Sequence, residues 1–335
     1  FLNHFSLSEE LLSSVYNVAS AFITLFNKPE SIAVVRLTTE SKEYYRSVIE
    51  YCVCGNLQSV LDEYIYLLHH CDNYQNHVDL SNHFADILSL RSSGVEVDDY
   101  KSFRSYAISR DENKKKQLLR THYAMDFGNQ KLTSASSSRL INMRQAFNSP
   151  FRPFVLATTS IGQEGIDFHY YCRRIFHWNL PSNPIDFEQR EGRIHRYKGH
   201  VIRLNLAKRY GSKVNLKEGS SIWETIFKDA SAEKMMAKVK CDLIPFWHID
   251  HGSTAINIER YVPIYPFSKD IEKLKNLIKV LTYYRLTFGQ PRQEALVESL
   301  SALGFESEAI NKLDKLMMNL SPMHFHYLEE EILIK

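Results

Sequence analysis

Residues 154–206 read FVLATTSIGQEGIDFHYYCRRIFHWNLPSNPIDFEQREGRIHRYKGHVIRLNL, and this stretch decides the fold of the chain. Three short segments in it have the composition of strands: residues 154–158, 174–178 and 201–206. A polar loop with two glycines, residues 159–167, follows the first of them. Asn183 and Pro184 predict a helix start, because Asn is a favoured N-cap and Pro a favoured first helical residue. This order predicts an open α/β sheet, which binds its ligands at the carboxyl ends of its strands.

Gln189, Arg193 and Arg196 follow that helix start at a spacing of i, i+4 and i+7. This spacing places all three on one face of a helix. Gly192 lies within the same predicted helix, at a cost of about 1 kcal/mol relative to alanine, which suggests that another group approaches the backbone there. Two arginines beside bare backbone form a fork for a polyanion such as a phosphate chain, although charged helix faces are more often simply solvated.

Two motifs in this stretch resemble helicase motifs. Residues 159–167 have the pattern T-x-x-G-x-E-G-x-D, which is similar to motif V of superfamily 2 helicases, and residues 189–196 have the pattern Q-R-x-G-R-x-x-R of motif VI. Their order and separation also fit that superfamily. The sequence also resembles large bacterial DEAD/DEAH-box-like helicases, some of them linked to phage defence, over residues 147–168, 177–200 and 284–296.

The resemblance implies a fold and a mechanism. The fold is α/β, with a RecA-like parallel-sheet lobe flanked by mainly helical N-terminal and C-terminal segments. The activity is that of an ATP-dependent nucleic-acid helicase or translocase, in which ATP lies between two lobes. Arg193 and Arg196 would be arginine fingers that neutralise charge on the transferred γ-phosphoryl group, and Gln189 would contact the nucleotide.

The resemblance gives roles to two further sets of residues. The nucleotide cleft would be lined by Gly165, Asp167 and Gly192. Contacts to a nucleic-acid phosphate would come from Thr159, Ser160 and Gly162, and Thr158 could share the role of Thr159. Phosphate contacts carry no sequence information, which suits an enzyme that moves along any strand. Both DNA and RNA stay open as the substrate.

The phosphate-binding half of such a motor is missing from this sequence. No G-x-x-x-x-G-K-[ST] loop and no D-E-x-[DH] motif occurs in the 335 residues, and the chain begins at Phe1 without an initiator Met. We therefore expect the C-terminal part of a longer protein, inactive alone, whose upstream P-loop lobe holds ATP and Mg²⁺. No metal ligand is assigned within this chain.

A second function stays open, that of a non-catalytic scaffold or binding module with a retained helicase-like lobe. The arginine fork favours the motor, because a scaffold has no physical need for it. Three domains are predicted: a helical accessory segment at 1–100, the lobe at 101–212 and a helical extension at 213–335. The helical flanks could bind protein partners. Within the first segment, residues 32–37 are ambiguous between strand and helix.

Composition limits the partners and the compartment. The net charge is only +2, so nucleic acid must meet a local groove rather than a global basic field. No apolar run approaches the roughly 18 residues of a membrane span. Five cysteines without a framework spacing are typical of a reduced, cytoplasmic protein. The spacing of the Cys and His residues between 52 and 83 is not a usual zinc pattern, so core cysteines and surface histidines are predicted there.

Overall fold

The computed structural model of the chain describes residues 8–89, 93–97, 104, 117–121, 142–151, 153–157, 167–214, 221–236, 241–249, 255–287 and 290–303. The chain forms two compact units. The first comprises Phe1–Ile166 with Lys217–Trp223, and the second comprises Asp167–Leu216 with Glu224–Lys335. The division after residue 166 falls inside the segment that the sequence predicts as one lobe, residues 101–212.

The first unit is helical over most of residues 8–89. Its helices are α1 (Glu9–Phe26), α2 (Pro29–Thr38), α3 (Tyr44–Cys54), α4 (Leu57–Cys71) and α5 (His77–Ser89). α1 begins where the side chain of Ser8 accepts a hydrogen bond from Leu11 N at 3.1 Å, and two acidic residues in its first turn complement the helix dipole. The ambiguous residues 32–37 lie within α2 and are therefore helical.

Aromatic rings form the core of the first unit. Neighbouring centroids lie 5.4 to 6.4 Å apart within the cluster of Phe22, Tyr64, Phe84 and Phe151. These distances and the tilted or edge-on ring angles are those of favourable aromatic pairs, which add to the burial of apolar area. The cluster ties α1, α4 and α5 to the segment that follows the helical residues 142–147.

The histidines and cysteines between residues 52 and 83 follow the prediction only in part. His83 is buried, contrary to the expected surface position, and it forms hydrogen bonds with Tyr64 Oη at 2.7 Å and Tyr74 Oη at 3.2 Å. Cys54 is exposed rather than part of the core, and the cysteines are free thiols. Burial of His83 is possible because both ring nitrogens find tyrosine partners.

A short antiparallel ladder lies near the predicted boundary between residues 100 and 101. Ser93–Val97 (β1) pairs with Gln117–Thr121 (β2), with Val95 opposite Leu119. The ladder joins residues on both sides of the predicted boundary between residues 100 and 101.

The second unit combines helices with a two-stranded parallel sheet. Its elements are β3 (Arg174–Phe176), α6 (Pro184–Gly192), α7 (His200–Tyr210), a 3₁₀ turn (Gly211–Lys213), α8 (Ile222–Met236), β4 (Glu259–Tyr261), α9 (Asp270–Leu286) and α10 (Gln293–Ala302). In the sheet, Ile175 lies opposite Arg260. Trp223, near the start of α8, belongs to the first unit, where its ring stacks on Tyr66.

Two of the three strands predicted in residues 154–206 are wrong. The strand predicted at 174–178 is confirmed over Arg174–Phe176. Residues 154–157 are not a strand, and Phe154 and Val155 are exposed rather than buried. Residues 201–206 lie in α7. Their mixed pattern of apolar and polar residues misleads, because the polar Arg203 is buried with hydrogen-bonded partners. Within the described residues, the parallel sheet consists of β3 and β4.

Candidate functional site

α6 carries the first part of the predicted arginine site. The helix starts at Pro184, and Asn183 caps it by accepting a hydrogen bond from Ile185 N at 2.9 Å, as the sequence predicts. Phe187 is fully buried and fixes the inner face of the helix. The helix ends at Gly192, where Ile194 N bonds to Glu191 O at 3.1 Å and tightens the last turn.

Gln189, Arg193 and Arg196 therefore do not share one helical face, contrary to the prediction. Gln189 is exposed on α6, Arg193 is the C-cap, and Arg196 lies in the turn that follows. Gly192 is the last helical residue, and apart from its chain neighbours and the nearby backbone of its own helix, no described atom lies within 4 Å of the position that a Cβ would take there. The predicted close approach to its backbone is thus not made by any described part of the chain.

Arg193 and Arg196 nevertheless converge on one carboxylate. Arg196 Nε donates to Asp167 Oδ1 at 3.0 Å, and Arg193 Nη1 lies 4.0 Å from the same oxygen. The side chains are 18% exposed for Arg193, 37% for Arg196 and 38% for Asp167. Among the described atoms, the buried Arg193 Nε has no hydrogen-bond acceptor. Two guanidinium groups that cannot lose their protons thus converge on one carboxylate, partly exposed to solvent, and each has more N–H donors than its contact with Asp167 uses.

Backbone hydrogen bonds hold this convergence in place. Phe168 N donates to Arg193 O at 3.0 Å, and His200 N donates to His169 O at 2.8 Å. The segment after Asp167 therefore runs against both ends of the loop that carries the two arginines. Arg203, fully buried in α7, donates to Tyr170 O and so adds a side-chain tie to the same segment.

Comparison with known proteins identifies the part of the chain that contains this site. Residues 104–198 match the helicase conserved C-terminal domain. This segment is similar to the C-terminal lobe of superfamily 1 and 2 helicases. The match implies a RecA-like fold for the helicase lobe, although it does not bear on the resemblance to bacterial phage-defence enzymes. No curated protein and no solved structure matches the chain.

A charged cluster attaches α6 of the helicase lobe to the sheet. Glu191 accepts two hydrogen bonds from Arg260 of β4, one of them from Nη2 at 2.6 Å, and a third from His177 Nε2 at 3.2 Å. Burial raises the pKa of Glu191, but the hydrogen bonds from His177 and Arg260 outweigh burial and lower the pKa to about 2. Phe187 completes the cluster, since the His177 ring stacks on it at 4.2 Å and the Arg260 guanidinium lies 4.5 Å from its centroid.

Four of the predicted site residues lie outside the described residues. They are Thr159, Ser160, Gly162 and Gly165, and the alternative Thr158 lies outside as well. Their predicted roles at the nucleotide and at a nucleic-acid phosphate stay predictions. The predicted residues that the structure describes are Asp167, Gln189, Gly192, Arg193 and Arg196, and three of these meet at the Asp167 carboxylate.

Neither a metal cluster nor a single membrane-spanning helix occurs in the described ranges. No group of three or more His, Cys, Asp or Glu side chains is placed there to hold a metal ion. No one helix there is both long and apolar enough to cross a bilayer, although α1 and α2 together, bent by 78° between them, pass the same test of length and composition.

Sequence reasoning missed the residues that support the arginines. Glu191 lies inside the Q-R-x-G-R-x-x-R pattern, between Arg190 and Gly192. An acidic residue at this position in a basic motif could have indicated a supporting role. Arg260 is 69 residues away from Glu191, so no local pattern could pair them. Arg203 was assigned to a strand, and a buried arginine that binds carbonyl oxygens leaves no mark in hydrophobic periodicity.

Proposed function

We propose that the lobe supplies two arginine fingers, Arg193 and Arg196, to an ATP molecule held by a P-loop lobe, in an ATP-dependent helicase or translocase. The observation that carries the proposal is the convergence of these two partly exposed side chains on Asp167. Paired guanidinium groups in a protein-lined site stabilise the charge that develops on a transferred phosphoryl group. Asp167 would keep both groups oriented before the nucleotide arrives.

The residues present suit a triphosphate as the bound substrate. Arg193 has a buried Nε donor with no acceptor among the described atoms, and Arg196 has guanidinium nitrogens beyond the one that binds Asp167. An anion can therefore accept hydrogen bonds from the remaining Arg196 nitrogens without first breaking the Arg196–Asp167 contact. Gln189 and Gly192, one turn earlier, would border the same nucleotide, since the space around Gly192 is open.

The remaining parts of the proposal follow from the helicase lobe. Mg²⁺ would be held by the P-loop lobe. Residues 159–162 would contact a nucleic-acid phosphate, so that closing and opening of the two lobes moves the strand. We keep the sequence bounds, with the lobe at 101–212 between helical segments at 1–100 and 213–335, and a cytoplasmic location as parts of this proposal.

The test measures ATP turnover and ATP binding in the full-length protein with nucleic acid present. Arg193→Ala and Arg196→Ala should each lower turnover by about 10³-fold or more, since arginine fingers contribute about that much, while ATP binding is largely kept. Arg209→Ala is the matched control. Arg209 lies in the last turn of α7, away from the two fingers, and pairs with Glu233 of α8, so this substitution should leave turnover unchanged.

Normal turnover in both finger variants would refute the proposal and favour the scaffold. In that case the helicase lobe would serve as a binding surface, and ATP would have no measurable effect on its partners. A loss of binding together with turnover would instead assign the arginines to ground-state affinity, which contradicts a finger role.

A further inference from the structure

Lys198, two residues after Arg196, is enclosed by aromatic rings. Its side chain is 5% exposed, and its Nζ lies 5.3 Å from the ring centroid of Tyr197, 4.9 Å from that of Phe227 and 5.8 Å from that of Phe246. These three rings are called the Lys198 cage. The rings of Phe227 and Phe246 stack at 5.6 Å with an angle of 9°, so the cage has a defined shape. A cation within about 6 Å of a ring face is attracted to it, and more strongly when water is removed.

The backbone at Lys198 adopts a conformation that favours glycine or asparagine. Its φ is +50°, in the left-handed region, although the residue is neither. A residue with a long side chain keeps this backbone conformation only when its surroundings offset the strain. At Lys198 the compensation comes from the cage and from two main-chain hydrogen bonds, Lys198 N to Phe246 O at 2.8 Å and Arg203 Nη1 to Lys198 O at 2.7 Å.

The cage is connected directly to the arginine loop. Gly199 N donates to Arg196 O at 2.9 Å, and a Cβ on Gly199 would stand 3.0 Å from that same oxygen. The chain is therefore closely packed between Arg196 and Lys198, and a shift of Lys198 moves Arg196. Phe227 lies in α8 and Phe246 in the turn at 241–249, both beyond residue 198, where the match to the helicase domain ends.

We propose that Lys198 is a positioning residue whose charge, held in the Lys198 cage, fixes the Arg193–Arg196 loop to α8 and to the turn at 241–249. The segment after the helicase domain thereby takes part in arranging the fingers. This inference rests on the proposed function for its effect on catalysis, but the anchoring itself can be measured without any nucleotide.

The first measurement is hydrogen exchange in the 335-residue chain. Lys198→Met keeps a side chain of similar length but removes the charge. Peptides that contain the Lys198 and Gly199 amides should therefore exchange roughly tenfold faster in this variant. Lys198→Arg keeps the charge and should restore slow exchange. Peptides from α1 and α5 are the internal reference and should not change. Equal exchange in the wild type and Lys198→Met would overturn the inference, as would equal loosening in both variants.

A second variant covers the case in which Lys198→Met does not fold. Fluorination of the Phe227 ring keeps its shape while it removes the negative potential of the ring face. Exchange at the same two amides should rise stepwise with the number of fluorine atoms if attraction to the cation holds the loop. Exchange that is independent of fluorination would show that only the packing of the ring matters, and the inference would fail.

The second measurement is ATP turnover in the full-length protein. Lys198→Met should lower kcat by about 10- to 100-fold with little change in KM, because a displaced finger affects the transition state more than the bound substrate, and Lys198→Arg should rescue kcat. Faster exchange with unchanged kcat would overturn the positioning role. Normal turnover in Arg193→Ala and Arg196→Ala would refute the proposed function alone, because the exchange experiment still decides whether the cage anchors the loop.

Discussion

Asp167 lies between two like charges and offsets part of their mutual repulsion. The guanidinium groups of Arg193 and Arg196 both point at its Oδ1, at 4.0 and 3.0 Å. At such distances a charge pair near a protein surface interacts by several kcal/mol before solvent screening, and the net contribution of partly exposed pairs is far smaller. The carboxylate therefore acts on the geometry of the two arginines more than on the stability of the fold.

We predict that Asp167→Asn lowers kcat for ATP by about 10- to 100-fold, because the two arginines lose the charged acceptor that orients both of them. The free energy of unfolding should change by only about 1 kcal/mol or less, since all three side chains are partly solvated. Steady-state turnover and chemical unfolding of the same preparation measure both quantities.

Asp186→Asn is the matched control for this prediction. It makes the same carboxylate-to-amide change on the exposed first turn of α6, away from the arginines, and should leave kcat as it is. Full activity in Asp167→Asn, or an equal loss in Asp186→Asn, would show that the Asp167 charge does not orient the fingers.

At the scale of elements, α6 is held to the sheet by the Glu191 cluster rather than by its length. A helix of nine residues is marginal alone, so its position depends on tertiary contacts. Glu191 accepts hydrogen bonds from Nε and Nη2 on one edge of Arg260 and from the buried ring of His177. The cluster places the C-terminal end of α6, and therefore Arg193, relative to β3 and β4.

We predict that Glu191→Gln lowers the free energy of unfolding by about 1 to 3 kcal/mol, because it leaves Arg260 and His177 without a charged acceptor in a partly buried place. A double-mutant cycle with Arg260→Met should give a coupling of about 1 kcal/mol, a value reduced by the exposure of Arg260. Chemical unfolding measures all four proteins. Additive effects of the two substitutions would show that the contact contributes nothing to stability.

The sequence predicted elements well where a local signal defines them. Asn183 and Pro184 gave the start of α6 because capping depends only on adjacent residues. It predicted elements poorly where polar groups are buried. In α7, Arg203 binds two carbonyl oxygens, and Asn205 exchanges hydrogen bonds of 2.8 Å with both the N–H and the carbonyl of Ile256. These partners are distant in the chain, so the mixed pattern of Val201 to Leu206 does not show that its polar residues are buried in a helix.

The candidate site shows the same limit. The two motifs identified Asp167, Arg193 and Arg196 as site residues. The prediction that both arginines lie on one helical face was wrong, because the helix ends at Gly192. The meeting of the three side chains depends on backbone hydrogen bonds between residues 25 or more positions apart, such as Phe168 N to Arg193 O. The spacing of residues along the sequence does not predict tertiary contacts of this kind.

At the scale of the whole molecule, the described part of each compact unit contains a histidine whose pKa is strongly lowered, His83 in the first unit and His200 in the second. Burial lowers the pKa of His83, in the first unit, to about 4. Burial, with smaller contributions from the charges of Arg203 and Arg173, lowers the pKa of His200, in the second unit, to about 3. Both histidines are neutral in the folded and the unfolded chain above the unfolded value of 6.5. Below that value only the unfolded chain takes up the proton, so stability is lost as the pH falls towards the folded pKa.

We predict that calorimetry of the 335-residue chain resolves two unfolding transitions, and that both move to lower temperature between pH 7 and pH 4. For His83 the loss approaches about 3 kcal/mol at pH 4, from a shift of about 2.5 pKa units at 1.36 kcal/mol each. His83→Gln should lower one transition at pH 7, where its tyrosine partners lose the ring, but should flatten the pH dependence of that transition only. His200→Gln should do the same to the other. A single transition that both variants shift alike would show that the two units unfold together, and an unchanged pH dependence in His83→Gln would show that its proton is not the one taken up.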